Sequence, residues 1–345
     1  MGDIQIRKVG KCGRITLNRP KALNALSYDN CLAIEKALDQ WRDNDDVAMV
    51  VIDAKGEKAF CAGGDIQVMY DTAVAGDFDY GRRFWRDEYR LNAKIFNYPK
   101  PYAAFMQGFN MGGGVGVSCH GSHRIVCETS KIAMPETGIG LVPDVGGSLL
   151  LARAPGRLGE YLGSTGGRMD AGNAIYAGFA DYYIPFADWP QLIEALEQSG
   201  DWSLIDQAAQ AVPGASLADQ QADIDRHFAG ETHRDILRSL QHEDSEFTTK
   251  TLKTLAQKSP LAVACAIEIC HRVRASDSIF AALSQEFRFT WRAAEHGDFI
   301  EGIRALIIDK DNAPRWKHAG LAEVSDVDVM QMLLPLGEQA LQQEK

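Results

Sequence analysis

Apolar and polar residues alternate along Ile4-Gln5-Ile6-Arg7 and again along Arg14-Ile15-Thr16-Leu17. That two-residue period belongs to strands with one buried face, and Lys11-Cys12-Gly13 between them predicts a hairpin turn. The period then lengthens. Ile34, Ala37, Leu38 and Trp41 follow the i, i+3, i+4, i+7 stripe of a helix, with Ser27 as its N-cap. Val47 to Ile52 and Tyr102 to Met106 are short unbroken apolar runs, the pattern of strands buried on both faces. Arg124-Ile125-Val126 and Lys131 to Met134 predict two further short strands, and Phe84, Leu91 and Ile95 mark another helix.

The recurrence of strand, strand and helix predicts stacked ββα units. After about residue 187 the strand signals fade. Trp189, Leu192, Ile193 and Leu196 form a helical stripe, and Ser259-Pro260 is a strong helix start. Asp65, Asp277 and Asp298 are candidate caps of later helices. The expected organisation is an α/β core over residues 1–187 and a mainly helical region over 188–345.

Composition narrows the classes. The chain has 345 residues, 46% hydrophobic and 24% charged, which suits a globular protein with more than one core. The formal charge is 36 − 47 = −11, which repels nucleic acid and anionic lipid, so neither is an expected partner. No apolar run reaches the roughly 18 residues of a membrane span, and residues 1–10 lack a signal-peptide pattern. The expected location is cytoplasmic, with a matured organelle protein as the alternative. Seven cysteines without a C-x-x-C pair read as reduced, packed thiols. The eight histidines lack metal-ligand spacing, and no dinucleotide or phosphate-loop motif is present, so neither a metal nor a separate cofactor is expected.

Two glycine clusters follow predicted strands and precede predicted helices: Ala62-Gly63-Gly64-Asp65 and Gly112-Gly113-Gly114. Glycine admits a ligand close to the backbone, and two N–H groups aimed at one point stabilise an oxygen that gains negative charge. Each cluster taken alone reads more readily as a tight strand-to-helix turn. Glu88 lies on the apolar stripe of Phe84, Leu91 and Ile95, an expensive place for a carboxylate unless it is paired or used. A salt-bridged residue at the stripe's margin is the plainer alternative. Glu136 alone fits a loop or cap carboxylate, and Asp144 alone fits the N-cap of the next helix. His120, His123, Cys61 and Cys119 have no partner pattern that recruits them to catalysis and read as structural.

In order, Phe60-Cys61-Ala62-Gly63-Gly64-Asp65-Ile66 and Met111-Gly112-Gly113-Gly114-Val115-Gly116 resemble the two oxyanion-hole segments of the crotonase, or enoyl-CoA hydratase/isomerase, superfamily. Ile15 to Pro20 and Asn24-Ala25-Leu26 are similar to its opening strand and turn. The resemblance implies a coiled ββα core and an acyl-CoA substrate, with the N–H groups of Gly64 and Gly113 holding the thioester oxygen. It implies a glutamate pair in hydratases, one aligned with Glu136 and the other with Gly116, so one carboxylate is missing here.

Met134 to Leu141, Pro143 to Gly147, Glu88 to Asn92 and Gly302 to Asp311 resemble the 3-hydroxyisobutyryl-CoA hydrolase subgroup. This implies hydrolysis of a short branched 3-hydroxyacyl-CoA, with 3-hydroxyisobutyryl-CoA as the favoured substrate. Glu136 then acts as nucleophile or base, Asp144 positions the hydroxyl or moves a proton, and Glu88 binds the acyl head. Arg19, Lys21 and Lys58 are candidate phosphate contacts, or ordinary solvated charges. The alternatives are another crotonase-type reaction and a silent CoA-binding protein; a homo-oligomer is compatible with either.

Overall fold

The computed structural model describes residues 2–343; Met1, Glu344 and Lys345 lie outside the described residues. In chain order the strands are β1 (Ile4–Val9), β2 (Cys12–Leu17), β3 (Met49–Ala54), β4 (Ala59–Cys61), β5 (Tyr102–Met106), β6 (Phe109–Met111), β7 (His123–Val126), β8 (Lys131–Ala133) and β9 (Tyr182–Tyr183). β1 and β2 form the expected hairpin, with Ile4 opposite Leu17 and Val9 opposite Cys12. A six-stranded sheet continues from it in the order β1-β2-β3-β5-β7-β9, and β4-β6-β8 form a second sheet of parallel strands.

The pairs β3–β4, β5–β6 and β7–β8 each send their first strand to the large sheet and their second to the small one. This is the ββα repetition read from the sequence. β5 is buried throughout, as its unbroken apolar run predicts. β2 is buried on both faces too, not on one as its alternation predicts, because its polar residues Arg14 and Thr16 are satisfied by Asp53.

The helices in the same stretch are α1 (Tyr28–Arg42), α2 (Gln67–Val74), α3 (Asp79–Phe96), α4 (Gly113–Ser118), α5 (Gly147–Arg153), α6 (Leu158–Thr165) and α7 (Ala171–Tyr176). Every element after β9 among the described residues is helical. These are chiefly α8 (Trp189–Ser199), α9 (Ser203–Ala208), α10 (Ser216–Asp219), α11 (Gln221–His227), α12 (His233–His242), α13 (Glu246–Leu255), α14 (Pro260–Val273), α15 (Ile279–His296), α16 (Phe299–Ile303) and α17 (Asp326–Met332). None of the helices among the described residues is long and apolar enough to cross a membrane.

Packing divides the chain into two compact units that are interleaved in sequence. Among the described residues, the first comprises those up to 65, 87–133 and 168–218, the second 66–86, 134–167 and those from 219 onward. The first holds both sheets. Its core joins Met49, Val51, Ala103, Phe105 and Ile125 of the large sheet to Trp189, Leu192, Leu196 and Ile205 of α8 and α9. Trp189 stacks edge-on against Phe105 at 5.3 Å, and its Nε1 donates to the Ile184 carbonyl at 2.9 Å.

A fragment ending at residue 187 would strip those four side chains from the sheet, each worth about 1.5–3 kcal/mol of burial. It is therefore expected to be insoluble or to lack a cooperative unfolding transition. A soluble 1–187 fragment with full turnover would contradict this.

The second unit is built on α5, α6, α14 and α15, with Phe228, Ile236, Leu240, Leu255, Val263 and Ile267 forming a further core cluster.

Local signals explain several helix starts. Ser27 accepts from Asn30 N at 3.2 Å, and Ser259 accepts from Ala262 N at 3.1 Å with Pro260 in the first turn. The three aspartates expected as caps have other partners. Asp65 binds the Arg19 guanidinium at 3.0 Å, and α2 starts after Ile66. Asp277 pairs with Arg153 at 3.1 Å, while Ser278 caps α15. Asp298 does take the N-cap position of α16, but its side chain makes no cap bond; the carboxylate accepts from Ser259 Oγ at 2.6 Å and Lys317 N at 3.0 Å.

Candidate active site

In the first unit, parallel pairing of β4 and β6 sets their C-terminal ends side by side, so the two glycine turns that follow are neighbours. The first turn is held by the segment before α1. Leu26 N donates to Gly63 O at 2.9 Å and Asp65 N donates to Leu26 O at 2.8 Å, which leaves the intervening Gly64 N–H outside that pairing. Gly63 has φ +118°, a conformation that favours glycine.

Gly113 opens α4, where helix geometry gives its N–H no intrahelical acceptor. A methyl group on Gly113 would lie 3.4 Å from the Gly64 nitrogen and 2.9 Å from Glu88 Oε1. Gly64, Gly113 and Glu88 therefore border one small space. Glu88 is buried, not at the exposed margin of α3. The adjacent Arg90 binds Glu35 and Asp87 at 2.5–2.7 Å.

The geometry separates two neighbouring glycines. A Cβ on Gly114 would sit 2.6 Å from the Cys61 carbonyl oxygen and 2.5 Å from Asn110 Oδ1, inside packed structure. A Cβ on Gly113 would instead fill the space beside Gly64 N. Gly113→Ala is expected to keep the fold and to lose about 10²–10³ in kcat, the loss typical of a spoiled oxyanion hole. Gly114→Ala is expected to lower the melting temperature. Circular dichroism with turnover distinguishes the two.

In the second unit, Glu136 opens the 3-10 turn Glu136–Ile139 and is buried. Its Oε2 is buried with no hydrogen-bond partner among the described residues, an expensive state for a carboxyl group that only fills space. Burial, and next the charge of Asp144, push its pKa well above the ordinary carboxylate range; Glu286 pushes the same way and Lys258 opposes. Because the folded chain then binds more protons than the unfolded one, this group's contribution to stability is lost as pH rises through the raised value.

Asp144 is buried, and its carbonyl accepts from Gly147 N at 2.7 Å. It is not the cap of α5, a position taken by Gly146. The intervening Val145 has φ +53° and Gly146 φ +78°.

Glu286, on α15, is a further buried carboxylate that no motif in the sequence marks out. Its carboxylate accepts from Gly146 N at 2.8 Å, from Ser148 N at 3.0 Å and from Ser148 Oγ. Burial pushes its pKa up to about 8 against these bonds. Its sequence signal was the one that marked Glu88: a carboxylate on an apolar stripe, here with Ala282, Leu283, Phe289 and Ala293.

Other candidates resolve into structure. All seven cysteines are free and buried; burial raises the Cys61 thiol to about 12 and the Cys119 thiol to about 11, too high for a nucleophile. His123 bonds with Ser122 Oγ at 2.9 Å and stacks on Tyr182, and His120 lies against Phe96. Gly116 is buried in α4, so no carboxylate stands at that position. Arg19 is engaged by Asp65, Asp3 and the Ala25 carbonyl. Lys21 and Lys58 line an open cleft with Lys55.

A family model described as enoyl-CoA hydratase/isomerase matches residues 12–333. The mitochondrial 3-hydroxyisobutyryl-CoA hydrolase of Gallus gallus is 37% identical over 98% of this chain and 90% of its own length. The Homo sapiens enzyme of the same name is 34% identical over the same shares. Among solved structures, an enoyl-CoA hydratase from Rhodobacter sphaeroides is 53% identical with a TM-score of 0.95, covering 99% of this chain and 100% of its own. A carnitinyl-CoA dehydratase from Mycobacterium thermoresistibile is 40% identical with a TM-score of 0.93, covering 97% of each chain. The names of these relatives divide between hydrolysis and the addition or removal of water.

Proposed function

The chain belongs to the enoyl-CoA hydratase/isomerase family, and on that premise we propose that it hydrolyses a short branched 3-hydroxyacyl-CoA, 3-hydroxyisobutyryl-CoA foremost, to the hydroxy acid and free CoA. The observation that carries the choice of reaction is the broken glutamate pair: Glu136 Oε2 is buried with no hydrogen-bond partner among the described residues, and Gly116 stands at the position the resemblance gives to a hydratase's second glutamate. Water addition to an alkene needs both a base for the water and an acid for the adjacent carbon. Attack on a thioester needs one nucleophile or base and a polarised carbonyl. The relatives named as hydrolases support the same choice.

In this reading the thioester oxygen accepts from the N–H groups of Gly64 and Gly113, which stabilise its negative charge as the carbonyl carbon becomes tetrahedral. Glu136 either adds its carboxylate oxygen to that carbon or takes a proton from a water that adds instead. The C–S bond breaks with its electron pair on sulfur, and the thiolate takes up a proton. On the first route, water then opens the mixed anhydride and restores Glu136. Asp144 and Glu88 receive the substrate's 3-hydroxyl and acyl head.

The test is a panel of acyl-CoA esters read for thiol release and, in parallel, for hydration of crotonyl-CoA. Thiol release from 3-hydroxyisobutyryl-CoA with little hydration is expected. Fast hydration without thiol release would overturn the reading.

The reading assigns no metal or redox cofactor, since the steps use only carboxylate and amide groups. Prolonged dialysis against a chelator is expected to leave turnover unchanged; loss restored by one particular metal would contradict it. Seven free thiols suit a reducing compartment, the cytoplasm or an organelle matrix such as that of the mitochondrial relatives.

A further inference from the structure

We infer that Glu286 is a positioning residue for Asp144: it grips the backbone turn that follows Asp144 and thereby fixes where that carboxylate meets the substrate. The inference rests on the reading that Asp144 acts on the substrate.

The argument starts from the turn. Val145 is β-branched and sits at φ +53°, a region that L-residues with branched side chains rarely occupy. Gly146 follows at φ +78°. Such a conformation persists only where its surroundings over-determine it, and strain of this kind gathers where side chains must be aimed. Here one carboxylate supplies much of that hold, beside the Gly147 N–H bond to the Asp144 carbonyl at 2.7 Å. Glu286 Oε2 takes the Gly146 N–H at 2.8 Å, and Oε1 takes the Ser148 N–H at 3.0 Å together with the Ser148 hydroxyl.

These three donors, from the two residues Gly146 and Ser148, hold the turn at both ends, and Asp144 lies two positions before the first of them. The grip comes from far away in sequence, since Glu286 stands 140 positions after Gly146. Glu286 itself is held by its place on the buried face of α15, between Leu283 and Phe289. The same bonds cap the start of α5, whose N-cap is Gly146, so the cap and the grip on the turn after Asp144 are one device. Capping alone does not call for a fully buried acid where an apolar residue would fill the space.

The variants Glu286→Gln and Asp144→Asn, alone and together, separate a positioning role from a merely structural one. Glutamine keeps the shape but puts an NH2 group against one of the backbone donors. With 3-hydroxyisobutyryl-CoA as the probe, Glu286→Gln is expected to fold and to lose roughly a hundredfold in kcat, as a displacement of about 1 Å at a reacting group does. KM should move much less. In the Asp144→Asn background the same change is expected to cost almost nothing more, since its effect runs through Asp144.

Wild-type kcat in Glu286→Gln, or losses that simply multiply in the double variant, would overturn the inference while Asp144 keeps its role. Wild-type kcat in Asp144→Asn would overturn the role of Asp144 and this inference with it. Should Glu286→Gln fail to fold, Ser148→Ala loosens the same grip more gently. It should lower kcat several-fold, less than Glu286→Gln, and again without further loss beside Asp144→Asn; unchanged kcat in Ser148→Ala would overturn the inference.

Discussion

Glu136→Gln is expected to bind 3-hydroxyisobutyryl-CoA about as well as wild type and to hydrolyse it at least ~100-fold more slowly. The carboxamide preserves shape and burial but cannot add to a thioester carbon or take a proton from water. The amides of Gly64 and Gly113 are untouched, so ground-state affinity should survive and the loss should appear in kcat.

The pH profile adds a second check. Burial and the charge of Asp144 hold Glu136 well above the ordinary carboxylate range. Both routes need the ionised form, so the acidic limb of kcat/KM should lie above that range and disappear from the residual activity of the glutamine variant. Near-normal hydrolysis by Glu136→Gln would remove this residue from the mechanism.

The next largest effect should come from the substrate. Isobutyryl-CoA differs from 3-hydroxyisobutyryl-CoA by one hydroxyl group, and its kcat/KM is expected to be lower by about four orders of magnitude. Glu88 and Asp144 are both buried. On the proposed assignment of these groups, a substrate without the hydroxyl forfeits a hydrogen bond that the site is built to make, and such sites discriminate strongly against the analogue. Asp144→Asn should shrink the ratio, because an amide can turn its NH2 group to suit what it meets. Equal kcat/KM for the two esters would defeat the assignment of these groups to the hydroxyl.

What was readable in the sequence was whatever depends on neighbours in the chain. The β1–β2 hairpin, the buried runs of β3 and β5 and the caps at Ser27 and Ser259 rest on residues a few positions apart. The same holds for Glu88, whose oddity is visible against Phe84 and Leu91 on its own helix. The aspartate caps failed for the opposite reason. Asp65 answers to Arg19, Asp277 to Arg153, and Asp298 to Ser259 and Lys317. An Asp before a helix is a cap only if nothing stronger claims it, and those claimants lie 19 to 124 residues away.

Glu286 fell between the two cases. Its place on an apolar stripe was legible, but its partners at Gly146 and Ser148 were not, and without them a buried acid has no stated purpose. The interleaving of the two packed units was hidden in the same way, because composition changes where strands end and not where contacts do.

The seven buried thiols have a practical meaning for how this enzyme can be watched. A reagent that colours on meeting a thiolate needs access and ionisation, and Cys61 and Cys119 offer neither in the native state. The folded protein is therefore nearly invisible to such a dye, and colour formed during turnover counts coenzyme A alone. Under denaturant the same dye counts seven equivalents per chain. One reagent thus reports product in the first condition and unfolding in the second.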